Sequence, residues 1–99
     1  MANSAIDLHR MTLPDQMAMR GMWAYDQWGN TGIIRDIEQR KGTKNSLVTM
    51  YDPYGDLPSV SGGHWFAQAS DLTICFDDQR AWEPEGTPLE YCKPRRQTK

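Results

Sequence analysis

From residue 21 onward, apolar and polar positions fall into five short blocks. Gly21-Met22-Trp23-Ala24-Tyr25, Thr31 to Ile37, Leu47-Val48-Thr49-Met50-Tyr51, His64-Trp65-Phe66-Ala67-Gln68 and Thr73-Ile74-Cys75-Phe76 are rich in aromatic and β-branched residues. Such residues suit a pleated, half-buried surface, so each block predicts a strand. The segments between them are turn chemistry. Asp26-Gln27-Trp28-Gly29-Asn30 supplies a turn with glycine where φ must be positive. Residues 38–46 are polar around Gly42, and residues 52–63 contain two prolines and three glycines, which predicts a long loop. Alternation along the blocks predicts a core of Trp23, Ile34, Val48, Met50, Trp65, Ala67, Leu72 and Ile74.

Residues 1–20 read differently. Ile6 and Leu8 alternate with polar neighbours, which suits a short strand. Thr12-Leu13-Pro14-Asp15 resembles a helix start and Gly21 a helix stop, so a short helix is expected around 14–20. Five of the six methionines fall in residues 1–22. They read as adaptable core filler in an N-terminal arm rather than as a soft-metal site, because their spacing is irregular. The segment from Asp77 is polar and broken by proline, and an irregular tail is expected there.

The segment Ala69-Ser70-Asp71-Leu72 interrupts the last two blocks. A single 3₁₀ turn accounts for such a break, with Ser70 or Asp71 satisfying the freed backbone groups and Leu72 turned into the core. Together with Gly32-Ile33-Ile34 and the Met50-Tyr51-Asp52 strand end, this order of signals resembles an SH3-like small β-barrel of the Tudor/KOW kind over residues 21–76. The resemblance implies a mainly β fold: a five-stranded barrel flanked by the arm 1–20 and the irregular tail 77–99. It implies no activity, since that family includes peptide binders, nucleic-acid binders and methyl-lysine readers. It also includes a small plasmid-borne reductase type with a V-Q-I-Y stretch. Here the matching place reads Trp65-Phe66-Ala67-Gln68, so that activity is not carried over.

Composition narrows the picture. With 99 residues, 38% hydrophobic and 24% charged, one globular domain is expected. No apolar run reaches membrane-spanning length, and residues 1–20 lack the apolar core of a signal peptide, so a cytoplasmic location without membrane contact is expected. The net charge of −2 divides unevenly: Lys93, Arg95, Arg96 and Lys99 make a basic end on an otherwise acidic chain. An acidic body repels phosphate, so nucleic acid is the less favoured partner, and these four residues are the candidate electrostatic contact. Cys75 and Cys92 form no metal-binding spacing and are expected to be free thiols.

No residue pattern marks an enzyme. The two histidines, His9 and His64, have no nucleophile at a recognisable spacing, and Asp52, Asp56, Asp77 and Asp78 lack the density of a calcium loop. No catalytic residue, metal or cofactor is expected. The aromatic residues are the candidate chemistry. Trp28 lies in a turn, Tyr54 lies in a loop, and Phe66 has the opposite parity to Trp65. These three, with Asp56 at the rim, are the expected binding surface for a protein or peptide, or for a second copy of the chain in a homodimer. The remaining readings are a nucleic-acid-associated accessory protein of a phage or mobile element, and a small-ligand-binding oligomer.

Overall fold

The computed structural model describes residues 5–52, 63–75 and 80–87. Six strands build one open antiparallel sheet: β1 (Ala5–Asp7), β2 (Trp23–Asp26), β3 (Thr31–Glu38), β4 (Leu47–Tyr51), β5 (His64–Gln68) and β6 (Leu72–Cys75), in the order β1-β6-β2-β3-β4-β5. The strands expected after residue 21 are present within a residue or two of their predicted limits. The count of five is corrected to six, because Ile6 pairs with Ile74 and adds the arm's short strand beside β6. The break at 69–72 is a 3₁₀ turn over Ala69–Asp71. No helix among the described residues is long and apolar enough to cross a membrane.

The helix of the arm, α1, runs over Leu13–Ala18 and starts where the sequence places it. Thr12 is extended, and its hydroxyl oxygen accepts from the Asp15 amide at 3.2 Å. That contact satisfies one of the amides that have no partner inside a helix. A preceding 3₁₀ turn, Leu8–Arg10, drops Leu8 into the core.

The inner face of the sheet carries the main core: Leu8, Met22, Ala24, Ile34, Ile37, Val48, Met50, Ala69, Leu72 and Ile74. Met11, Met17 and Met19 pack against it, as expected of flexible side chains filling irregular space. Trp65 and Ala67 also pack there but are half-buried, because β5 is an edge strand. Ile34 and Ile37 both face inward although they are three residues apart. The register of β3 on β4 shifts between Ile34 and Asp36, and this bulge at Arg35 resets the alternation.

Trp23 is buried on the other face. There it joins Ile33 and Ala81, with Tyr51 and Trp82 packed alongside. Residues 80–82 therefore lie over the outer face of the sheet. The Ala81 and Trp82 amides both donate to the Gly21 carbonyl, at 2.8 and 3.0 Å. Arg80 donates to the carbonyls of Ala18, Arg20 and Trp82, at 2.7, 2.6 and 3.1 Å. Its guanidinium thus reaches a carbonyl that α1 leaves open at its C-terminal end.

One buried polar cluster joins α1 to the loop before β4. Gln16 is fully buried and donates to the Lys44 carbonyl at 2.8 Å, while its own carbonyl accepts from the Ser46 hydroxyl at 2.6 Å. Ser46 in turn receives the Ala69 amide on its backbone carbonyl at 2.9 Å. Replacing Gln16 with alanine strands the buried Ser46 hydroxyl and takes a donor from the Lys44 carbonyl. The expected loss is about 2–3 kcal/mol, since each stranded buried group costs about 1–3 kcal/mol. Urea denaturation checks it, and a Gln16→Ala protein within 0.5 kcal/mol of wild type would sink the claim (about the scatter of surface substitutions).

Candidate interaction surface

Most of the aromatic side chains among the described residues are committed to packing. On the outer face, His64, Tyr51, Trp82 and Arg35 form a continuous stack. The His64 and Tyr51 ring centres are 4.9 Å apart, those of Tyr51 and Trp82 are 5.6 Å apart, and the Arg35 guanidinium carbon lies 5.2 Å from the Trp82 ring centre. The last contact has the geometry of a cation held over a π face. The β3 bulge falls at Arg35, and a bulge re-aims the side chain it carries.

Two of the predicted site residues stand clear of all this packing. Trp28 is 69% exposed and Phe66 is 63% exposed. Trp28 sits on a pinned turn rather than a loose one. The buried Asp26 carboxylate accepts from the Trp28 amide at 3.0 Å, the Asn30 amide at 2.8 Å and the Asn30 side chain at 3.1 Å. Gly29 takes a φ of 87°, which closes the turn with a conformation that side-chain-bearing residues rarely adopt. Gln27 ties the same turn to Asp71 at 2.9 Å. Ordering this backbone in advance removes an entropic cost that a loop would otherwise meet on binding.

Phe66 lies at the centre of β5, opposite Thr49. Its neighbours Trp65 and Ala67 face the core, so strand geometry turns Phe66 outward as its parity predicts. Trp28 and Phe66 are separated by the width of β3 and β4, and no stacking joins the two rings among the described residues. Tyr54, Asp56, Lys93, Arg95, Arg96 and Lys99 lie outside the described residues, as does Cys92.

Sequence reasoning missed Tyr25 and Ile6, which are 39% and 44% exposed. Tyr25 pairs with Thr31 and Thr73, on the face where Thr73 donates to the Asp7 carboxylate at 3.1 Å. Its exposure follows from lying beyond the reach of the Trp23–Ile33–Ala81 cluster, a boundary that depends on where residues 80–82 dock and not on Tyr25's own surroundings in sequence.

Three of the buried polar side chains have structural roles. Gln16, Asp26 and Ser46 are buried and hydrogen-bonded within the fold. No group of three or more His, Cys, Asp or Glu side chains gathers closely enough to share an ion among the described residues. No family model, curated protein or solved structure matches this chain.

Proposed function

We propose that the chain is a binding module without catalytic activity, taking an extended protein segment or peptide on exposed aromatic anchors. Trp28 and Phe66 supply the anchors, and Tyr54 and Asp56 complete the surface and its rim. The observation that carries this reading is a contrast among the tryptophans. Trp23, Trp65 and Trp82 are packed into the two clusters, whereas Trp28 stands 69% exposed on a turn pinned by Asp26. A large aromatic presented to water on an ordered turn is the kind of side chain that carries binding energy at interfaces. The supporting frame is an SH3-like one. Five successive strands after residue 22, with a 3₁₀ turn between the last two, are the order of elements the resemblance implies.

Selection from a displayed library of random peptides tests it directly. Peptides enriched on the folded protein are expected to lose about tenfold or more in affinity for Trp28→Ser and for Phe66→Ser, a change of about 1.4 kcal/mol. Both variants are expected to melt close to wild type, since exposed positions contribute within about ±0.5 kcal/mol. The reading fails if selected peptides bind the triple variant Trp28→Ser/Tyr54→Ser/Phe66→Ser as tightly as the parent.

A further inference from the structure

The two edges of the sheet differ. The β1 edge is three residues long and gives way at once to a 3₁₀ turn. The β5 edge is a regular five-residue strand, and β4 is its only paired strand among the described residues. Natural sheets blunt such edges with charge, proline or a bulge. The stretch His64-Trp65-Phe66-Ala67-Gln68 contains no Lys, Arg, Asp, Glu or Pro, and its register on β4 runs without a shift.

The hydrogen bonds fix which backbone groups β5 leaves open. Just outside its two ends, the Asp52 amide donates to the Gly63 carbonyl at 2.8 Å and the Ala69 amide to the Ser46 carbonyl at 2.9 Å. In an antiparallel ladder, hydrogen-bonded and open pairs alternate. Counting inward from both ends gives the same answer: Trp65 and Ala67 bond to β4, and Phe66 directs its amide and carbonyl away from it.

We infer that this edge pairs with the same edge of a second copy of the chain, antiparallel, with the two-fold axis at Phe66. The inference rests on the exposed Phe66 of the proposed binding surface but not on Trp28 or on any peptide ligand. Three features select a second copy over a foreign strand. The register centred on Phe66 sets Trp65 against the partner's Ala67 on the inner face, so a large side chain meets a small one twice. Phe66 meets the partner's Phe66 on the outer face, which covers a ring that is 63% exposed. The strand is uncharged, so no like charges are brought together on either side of the axis. The central pair exchanges two backbone hydrogen bonds, from each Phe66 amide to the other Phe66 carbonyl, and the two sheets become continuous. The contact is small by the standards of stable dimers, so association is expected in the upper micromolar range.

Sedimentation and backbone amide exchange on the full chain, from about 20 µM to about 1 mM, test it. The expected result is a mass rising toward twice the monomer, with exchange of the Phe66 amide slowing about tenfold or more over the same range. Phe66→Lys sets two cations on the axis and should stay monomeric at the highest concentration. Phe66→Pro removes only an edge-facing amide, which edge strands tolerate, and should also stay monomeric. Trp28→Ser should dimerise like wild type. A protein monomeric throughout overturns the inference, as does a dimer in which the Phe66 amide still exchanges fast or which Phe66→Lys leaves intact. A Phe66 amide protected only by added extended peptide also overturns it, in favour of a foreign strand, and would leave the binding-module reading standing.

Discussion

Gly21→Ala should lower stability by about 3–5 kcal/mol and free residues 80–82 from the outer face. Two independent effects add at this position. Gly21 has a φ of 92°, and holding a residue with a Cβ there costs about 1–2 kcal/mol. A Cβ would also overlap the Trp82 carbonyl, lying 2.7 Å from its carbon and 3.1 Å from the Glu83 oxygen. The overlap is with backbone, so no side chain can swing aside. Relief requires moving residues 80–82, which breaks the bonds from the Ala81 and Trp82 amides to Gly21, each contributing about 0.5–1.5 kcal/mol. Gly42→Ala separates the two effects. Gly42 has a φ of 81° and open space where its Cβ would stand, so it should show the dihedral cost alone. Denaturant titrations of both variants, followed by tryptophan fluorescence, give the comparison. Equal losses for the two would mean that residues 80–82 do not hold the sheet at Gly21.

Trp65→Ala should cost about 3–5 kcal/mol, the range for emptying a large aromatic site. The outer edge of the indole comes against Gly32: a Cβ at that position would meet the ring at 2.6 Å and 3.1 Å. Trp65 thus fills a space that the backbone of β3 was left bare to provide. Single domains are stable by about 5–15 kcal/mol in total, so the variant should melt more than about 12 °C below wild type. Gly32→Val should fail in the reverse sense, by clashing with the ring and with the Tyr51 carbonyl oxygen, which would stand 2.7 Å from the new Cβ. If Trp65→Ala melts within about 4 °C of wild type, the half-buried indole contributes surface cover rather than core.

The five strands after residue 21 were legible because each is bounded by residues with one dominant role: glycine in the 27–30 turn, a polar stretch before Leu47, and the short Ala69–Asp71 break. Trp28 and Phe66 were legible as exposed for equally local reasons, a turn position in one case and parity against Trp65 in the other. What escaped depends on segments distant in sequence. Ile33 is buried on the outer face because residues 80–82 cross it; Trp23 is buried as its sequence suggests, but on that outer face, and nothing near it announces the cover. Ala81 and Trp82 sit in a stretch whose polar, proline-broken character reads as tail. The bulge at Arg35 lies inside an unbroken strand-like run, and no glycine marks it. Ile6 was legible as a strand residue, but its pairing with Ile74 is not written in either segment.

That last pairing sets an order of events during synthesis. β2, β3, β4 and β5 form a meander in which each strand pairs with the one made just before it. β6 departs from this sequence by lying beside β2, and β1 then pairs with β6 across nearly the whole described chain. Contacts that close such long loops form late, because the entropy of closure must be met before the contact returns anything. The earliest strand is therefore among the last to find its place. Until Leu72–Cys75 has left the ribosome, the hairpin edge of Trp23–Asp26 waits open, and the nascent meander is bare at both margins.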